Sequence, residues 1–188
     1  MKIYHHLDFA KLTNCYLVVN EFTKKALIID PCKISSTLIS QIEQDNYDLE
    51  AVFITHKHTN HYRGLKTLQK IYDFTVYAAD NELASGTAVL KDEGVKRIGG
   101  LKVEYFSLPG HSADSIVYKI ENVLFTGDVI FASTIGSSSC AYTKKYLSNG
   151  IKSKIFSLPD EMIIMPGHGP MTSIGAEKQF NLDISAAD

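Results

Sequence analysis

At 188 residues the chain has the length of one domain (1–188) with a real core. Its 19 Lys and Arg stand against 21 Asp and Glu, with 45% hydrophobic residues. No basic excess points to nucleic acid and no acidic tail to a basic partner. Apolar runs such as Ala26–Asp30 and Met162–Met165 are strand-sized, short of the ~18 residues a membrane span needs.

The opening Met1-Lys2-Ile3-Tyr4-His5-His6 lacks a long apolar stretch and a small-residue cleavage site, so no secretion signal is read and a cytoplasmic address is the expectation. Cys15, Cys32 and Cys140 form no Cys-x-x-Cys and leave an odd count, in keeping with a reducing compartment. In chain order, Cys15–Asn20 and Ala26–Asp30 read as a hairpin around the polar Glu21–Lys25. Ile34, Leu38, Ile39 and Ile42 recur at helical spacing behind the caps Ser35 and Ser36. Ala51–Thr55 is almost wholly apolar, as for a strand covered on both faces, and runs straight into His56. A helix follows through Leu65, Leu68, Gln69 and Tyr72, then a strand over Phe74–Ala78 and a helix over Asn81–Lys91. Strands are predicted over Leu101–Leu108, Ser115–Ile120, Asn122–Thr126 and Met162–Met165. Helices are predicted over Lys144–Leu158, with Gly150 as its weak point, and over Ile174–Asn181. Both halves thus place strands first and a helix later, which predicts two sheets packed face to face with helices outside.

The histidines carry the chemistry. Five of the seven fall at the ends of predicted strands beside Gly, Asp or Pro, three of them within Thr55-His56-Lys57-His58-Thr59-Asn60-His61. Neutral imidazole is the commonest metal ligand, and alternate residues at a strand end can aim two ring nitrogens at one ion. Three further segments follow a strand with a glycine turn and a ligand type: Pro109-Gly110-His111-Ser112, Thr126-Gly127-Asp128 and Pro166-Gly167-His168-Gly169. Each alone is an ordinary turn. Together with the triple-histidine segment they predict a metal centre.

The order His-x-His-x-x-His, Gly-His-Ser, Thr-Gly-Asp, Gly-His-Gly resembles the metallo-β-lactamase superfamily, in particular its compact glyoxalase II-like hydrolases. Asn14-Cys15-Tyr16-Leu17 and the stretch from Ser157-Leu158-Pro159-Asp160 through Gly167-His168-Gly169 to Lys178 resemble that subgroup as well. The resemblance implies an α/β fold, the αβ/βα four-layer sandwich of two mixed sheets with outer helices. It implies a first metal position at His56, His58 and His111 and a second at position 60, His61 and His168, with Asp128 bridging. It further implies hydrolysis of a small-molecule thioester or ester by a metal-bound hydroxide, of the hydroxyacylglutathione hydrolase type. The cofactor expected is a divalent metal, zinc first, with iron or manganese as alternatives.

Two departures qualify that picture. The superfamily's usual aspartate at position 60 is Asn60 here, a neutral amide that is a weak zinc ligand and accepts no proton. One full site and a weakened second site are therefore expected, with Asn60 and Asp128 as the residues nearest the chemistry. Secondly, Ile135-Gly136 is followed by Ser137-Ser138-Ser139-Cys140 where compact relatives commonly carry a basic residue, so a glutathione moiety loses a cation. Tyr142, Lys144 and Lys145 are the residues that could replace it, or else a solvated helix face. Two other readings stay open: a persulfide dioxygenase-like enzyme with one iron on His56, His111 and Asp128, and a catalytically weakened metal-binding domain with Asn60 as the lesion. His5 and His6 are read as strand residues without a metal role, and Asp30 as a supporting or turn residue rather than a ligand.

Overall fold

In the computed structural model, which describes residues 1–185, the strands form two six-stranded sheets, and in each the order in space is the order in sequence. The first contains β1 (Lys2–Asp8), β2 (Thr13–Asn20), β3 (Lys25–Ile29), β4 (Asp48–Phe53), β5 (Thr75–Ala78) and β6 (Ala88–Val89). Its first three strands pair antiparallel and the rest parallel. The second contains β7 (Glu93–Ile98), β8 (Leu101–Ser107), β9 (Ile116–Ile120), β10 (Val123–Gly127), β11 (Ile163–Pro166) and β12 (Thr172–Ser173). Only β10 and β11 run parallel there, because α4 (Ala141–Gly150) and a π-helical turn (Ile151–Ile155) cross between them.

Period-2 alternation sorts the side chains into layers. Cys15, Leu17 and Val19 of β2 face outward with Ala26 and Ile28, under α1 (Ser36–Gln44), α2 (Thr59–Tyr62) and α3 (Leu65–Leu68). Tyr16 and Val18 face the other way, into the seam between the sheets, with Leu27, Ile29, Phe53, Tyr118 and Phe125. Leu124 and Val117 project from the far face of the second sheet onto Leu147, Ile151 and Ile174 of α4, the π-helical turn and α5 (Ile174–Phe180). The result is the four-layer αβ/βα sandwich, and burial on both faces explains why the central strands read as near-continuous apolar runs. A short α6 (Leu182–Ser185) ends the described chain.

Most predicted elements are present with shifted ends. Ser35 caps α1, its Oγ accepting the Leu38 N–H at 3.1 Å. The helix predicted from Lys144 starts three residues earlier and changes to π geometry after Gly150. The helix through Leu65–Tyr72 is only one turn, Leu65–Leu68. The helix over Asn81–Lys91 does not form: that segment is turns followed by β6. Leu83 packs outside the first sheet while Leu90 packs between the sheets, so no single helical face serves both, and Gly86 at φ +78° breaks the run. The edge strand β7 also lies outside the strands the pattern predicted, and of β1 only His5 and His6 were read as strand residues.

Candidate metal centre

All the predicted ligands lie beyond the C-terminal ends of strands that run the same way, Asn60 and His61 on the single helical turn α2 and the others on loops. His56, His58 and His61 follow β4, His111 follows β8, Asp128 follows β10 and His168 follows β11. Both sheets therefore contribute. Two glycines make the convergence feasible. Gly127 turns the chain at φ +51°, and a side chain there would collide with Thr55; Gly167 passes directly beneath Asp128 Oδ1 and His61 Cε1, where a Cβ has no room.

His56, His58, His111 and Asp128 present ligand atoms all within 4.8 Å of one another, and so do His61, Asp128 and His168. In the first group His56 Nε2 is 2.9 Å and His111 Nε2 3.0 Å from His58 Nδ1. Asp128 Oδ2 lies 3.8 Å from His56 Nε2 and 3.7 Å from His111 Nε2. A tetrahedral zinc site with its usual bond lengths has ligand–ligand edges of about 3.3 Å, within the spread of these separations.

The outer contacts decide which nitrogen faces inward. Thr55 Oγ1 donates to Asp30 Oδ2 at 2.7 Å, so toward His56 Nδ1, 3.0 Å away, it can only accept, and the ring proton sits on Nδ1. His61 Nδ1 donates to Asp30 Oδ2 at 2.8 Å, and His111 Nδ1 donates to the Ser137 carbonyl at 2.8 Å. Three imidazoles thus turn Nε2 lone pairs inward, the arrangement that outer hydrogen bonds impose on metal-binding histidines. A proton on His58 Nδ1 satisfies one of its two nitrogen neighbours and leaves the other contact as lone pair against lone pair; a cation relieves both. His61 Nε2 is buried without a hydrogen-bond partner, 3.4 Å from Asp128 Oδ1. The donor set fits a divalent cation.

The electrostatics agree. Burial, reinforced by the neighbouring imidazoles, pushes the His56 pKa down to about 2 and keeps that ring neutral. Burial also lowers His58, with His111 adding to it. At His61 burial works in the same direction but Asp30 and Asp128 overcome it and raise the pKa to about 10, so two carboxylates call for positive charge there. Burial raises the Asp128 carboxyl, yet His168 and His61 more than reverse this and hold it well below the usual carboxylate range.

The profile of the metallo-β-lactamase superfamily matches residues 9–101 and 87–168. The chain belongs to that superfamily. Among superfamily relatives, a probable metallo-hydrolase of Streptococcus pyogenes is 28% identical over 96% of this chain and 89% of its own length. The hydroxyacylglutathione hydrolase GloC of Haemophilus influenzae is 30% identical over 89% of this chain and 91% of its own. The crystal structure of ETHE1 from Myxococcus xanthus superposes with a TM-score of 0.88 at 26% identity, covering 100% of this chain and 86% of that one.

Every ligand candidate read from the sequence reaches this centre, and Asn60 lies at its edge. Asn60 Nδ2 is 3.2 Å from both His168 Nε2 and Thr13 Oγ1, while His168 Nδ1 donates to Asp128 Oδ1 at 2.8 Å. The amide therefore engages the His168 nitrogen that Asp128 leaves free. His5 and His6 lie elsewhere, His5 Nε2 on Asn14 Oδ1 at 2.8 Å and His6 Nε2 on Gln41 Oε1 at 3.1 Å. Asp30 lies behind the cluster; at φ +51° its carboxylate receives Thr55 and His61. Cys15 and Cys32 are buried and Cys140 exposed, all free, and the Lys144 ammonium is held by Asp183 Oδ1 at 2.7 Å.

Sequence reasoning missed three supports. Thr55 links Asp30 to His56, Thr13 reaches His168 Nε2 at 3.3 Å, and Asn14 with Tyr16 grips the turn bearing His168. Asn14 Nδ2 donates to the carbonyls of Pro166 and Gly169, each at 2.9 Å, and Tyr16 Oη donates to Pro166 at 2.7 Å. The signal for the last was in the chain, because Asn14-Cys15-Tyr16-Leu17 and Pro166-Gly167-His168-Gly169 were both singled out without any indication that they touch.

Proposed function

We propose that the protein is a metal-dependent thioester or ester hydrolase of the glyoxalase II-like type, a single domain working in the cytoplasm with one well-held divalent ion, zinc first. The observation that carries this reading is the convergence of His56 Nε2, His58 Nδ1, His111 Nε2 and Asp128 Oδ2. The metal, when bound, supplies Lewis acidity to a carbonyl and lowers the pKa of a water toward 7. Thr55 and Ser137 hold His56 and His111 in the tautomer that leaves Nε2 free. Asp128 serves as a permanently ionised anchor, since Oδ1 is taken by His168 and its carboxyl is a weak proton acceptor. Asn60 donates hydrogen bonds where the superfamily's aspartate would accept a proton, so protons leave through solvent. The second position, His61 and His168 with Asn60 in place of a carboxylate, is weak.

A second reading draws on the same geometry: His56, His111 and Asp128 form the two-imidazole, one-carboxylate set suited to a single iron, as in a persulfide dioxygenase-like enzyme. Elemental analysis of protein purified without added metal, followed by a thioester and ester panel, tests both. About one zinc per chain with thioester turnover supports the hydrolase. Iron, with sulfite formed from glutathione persulfide in air, supports the dioxygenase. Full metal loading without turnover of any substrate leaves a metal-binding domain weakened at Asn60.

A further inference from the structure

The turn that carries His111 lies hard against α4. A Cβ at Gly110 would strike Leu147, and this close approach opens a cleft of about 430 Å³ between Pro109–Ala113 and the face of α4 bearing Tyr142 and Tyr146. Its size is that of a small-molecule site. His111, a member of the metal cluster, forms part of its wall, so whatever projects from the cluster on that side enters it. Apart from His111 the wall contains no ionisable group but two phenols: its other polar side chains are the hydroxyls of Ser112, Ser139 and Thr143. Tyr142 and Tyr146 are i, i+4 neighbours on the helix and stand 77% and 53% exposed. Two exposed rings side by side next to a catalytic cluster are costly to leave bare and offer rigid, flat contact area. Past Tyr146 and Pro109 the groove continues through about 360 Å³ to Asn149 and Ser153, meeting its first cation at Lys154, whose ammonium already donates to the Ser107 carbonyl at 3.0 Å. Lys144 is held by Asp183 and Lys57 by Asp80 and Glu82, and Lys145, exposed on α4, forms no part of the cleft wall.

We propose that this groove is the specificity site for a neutral, apolar or aromatic portion of a thioester or ester substrate, and that it selects such substrates over glutathione conjugates. The inference rests on the hydrolase reading. A glutathione conjugate would bring two carboxylates to a wall that offers no cation to pair with them, so they gain nothing there. A phenyl or alkyl group loses nothing on entering and gains the two tyrosine faces.

The test uses zinc-loaded protein and three thioesters: phenylacetyl- and acetyl-N-acetylcysteamine, both neutral, and S-lactoylglutathione. The phenylacetyl compound is expected to have a kcat/KM at least about tenfold above that of S-lactoylglutathione. Y142A and Y146A are each expected to raise KM for the phenylacetyl compound about three- to tenfold, the worth of one aromatic contact, with kcat and the acetyl compound little changed. The non-hydrolysable thioether S-phenethyl-N-acetylcysteamine gives a readout independent of turnover: saturation transfer to its ring protons should weaken in both variants. Equal or better use of S-lactoylglutathione, or variants that affect all three thioesters alike, overturns the proposal and leaves the hydrolase reading intact. Tyrosine-dependent binding of the thioether without hydrolysis of any thioester supports the groove and overturns the hydrolase reading. Absence of thioether binding overturns the groove.

Discussion

Asn60 and Asp30 are the single side chains through which the proposed occupancy of this centre can be tested without changing its frame. Asn60→Asp restores a carboxylate where the amide now engages His168. Metal content is expected to rise from about one ion per chain toward two, with faster thioester turnover, measured by elemental analysis and steady-state kinetics. Unchanged stoichiometry and rate would remove Asn60 as the cause of a weak second position. Asp30→Asn leaves every ligand atom in place but exchanges a carboxylate that receives both Thr55 and His61 for an amide with one acceptor oxygen. Loss of such an outer contact typically weakens metal affinity about 10–100-fold, which competition against a chromophoric chelator would read directly. The clustering of the candidate ligands was legible in the sequence because each is a chemically distinctive residue behind a glycine or at a strand end. Thr55 and Thr13 were not, since a threonine carries no signal of its own and matters only through which side chain the fold brings beside it.

Among the elements, β1 and β2 do more than extend a sheet. His5 on β1 donates to Asn14 Oδ1 on β2, which turns the Asn14 amide group toward the Pro166 and Gly169 carbonyls of the His168 turn. Asn14→Ala strips two carbonyls of that donor, one of which keeps Tyr16, and is expected to cost about 1–3 kcal/mol in urea-unfolding free energy. Second-position metal should fall while the first remains. His6, the next residue, gives a pH dependence. Burial lowers its pKa from 6.5, so the folded chain binds this proton less readily than the unfolded chain. The contribution is fully present above pH 6.5 and is lost as the pH falls from there through the lowered value. Urea midpoints at pH 7.5 and 5.5 should differ less in His6→Gln than in the parent. Elements with strict alternation or long apolar runs were readable from the chain; Asn81–Lys91 was not, because Leu83 and Leu90 mimic one helical face while serving two different cores. β7 escaped notice for the opposite reason: as an exposed edge strand of alternating Glu93, Val95 and Arg97 it buries little that a hydrophobic pattern can detect.

For the molecule as a whole, His56, His58 and His61 come from the first sheet and His111, Asp128 and His168 from the second, so a bound ion joins the two halves of the sandwich. An ion that binds only the folded chain stabilises it by about 4 kcal/mol at a thousandfold excess over its dissociation constant. Treatment with EDTA is therefore expected to lower the melting temperature by several degrees, and zinc in excess of the chelator to restore it. A melting temperature indifferent to chelation would show that the sheets hold together on their core alone.

The loops at the far end of the sandwich carry none of the candidate ligands. There the β2–β3 turn presents Phe22 almost fully to solvent, while Asn20 and Thr23 fasten that end by donating to the Gly99 carbonyl. Seven residues of strand separate this tip from Thr13, about 23 Å at 3.3 Å per residue. The protein thus has a natural handle: a cysteine or a short tag at position 22 would anchor it to a bead or an electrode with its working face turned to the solution.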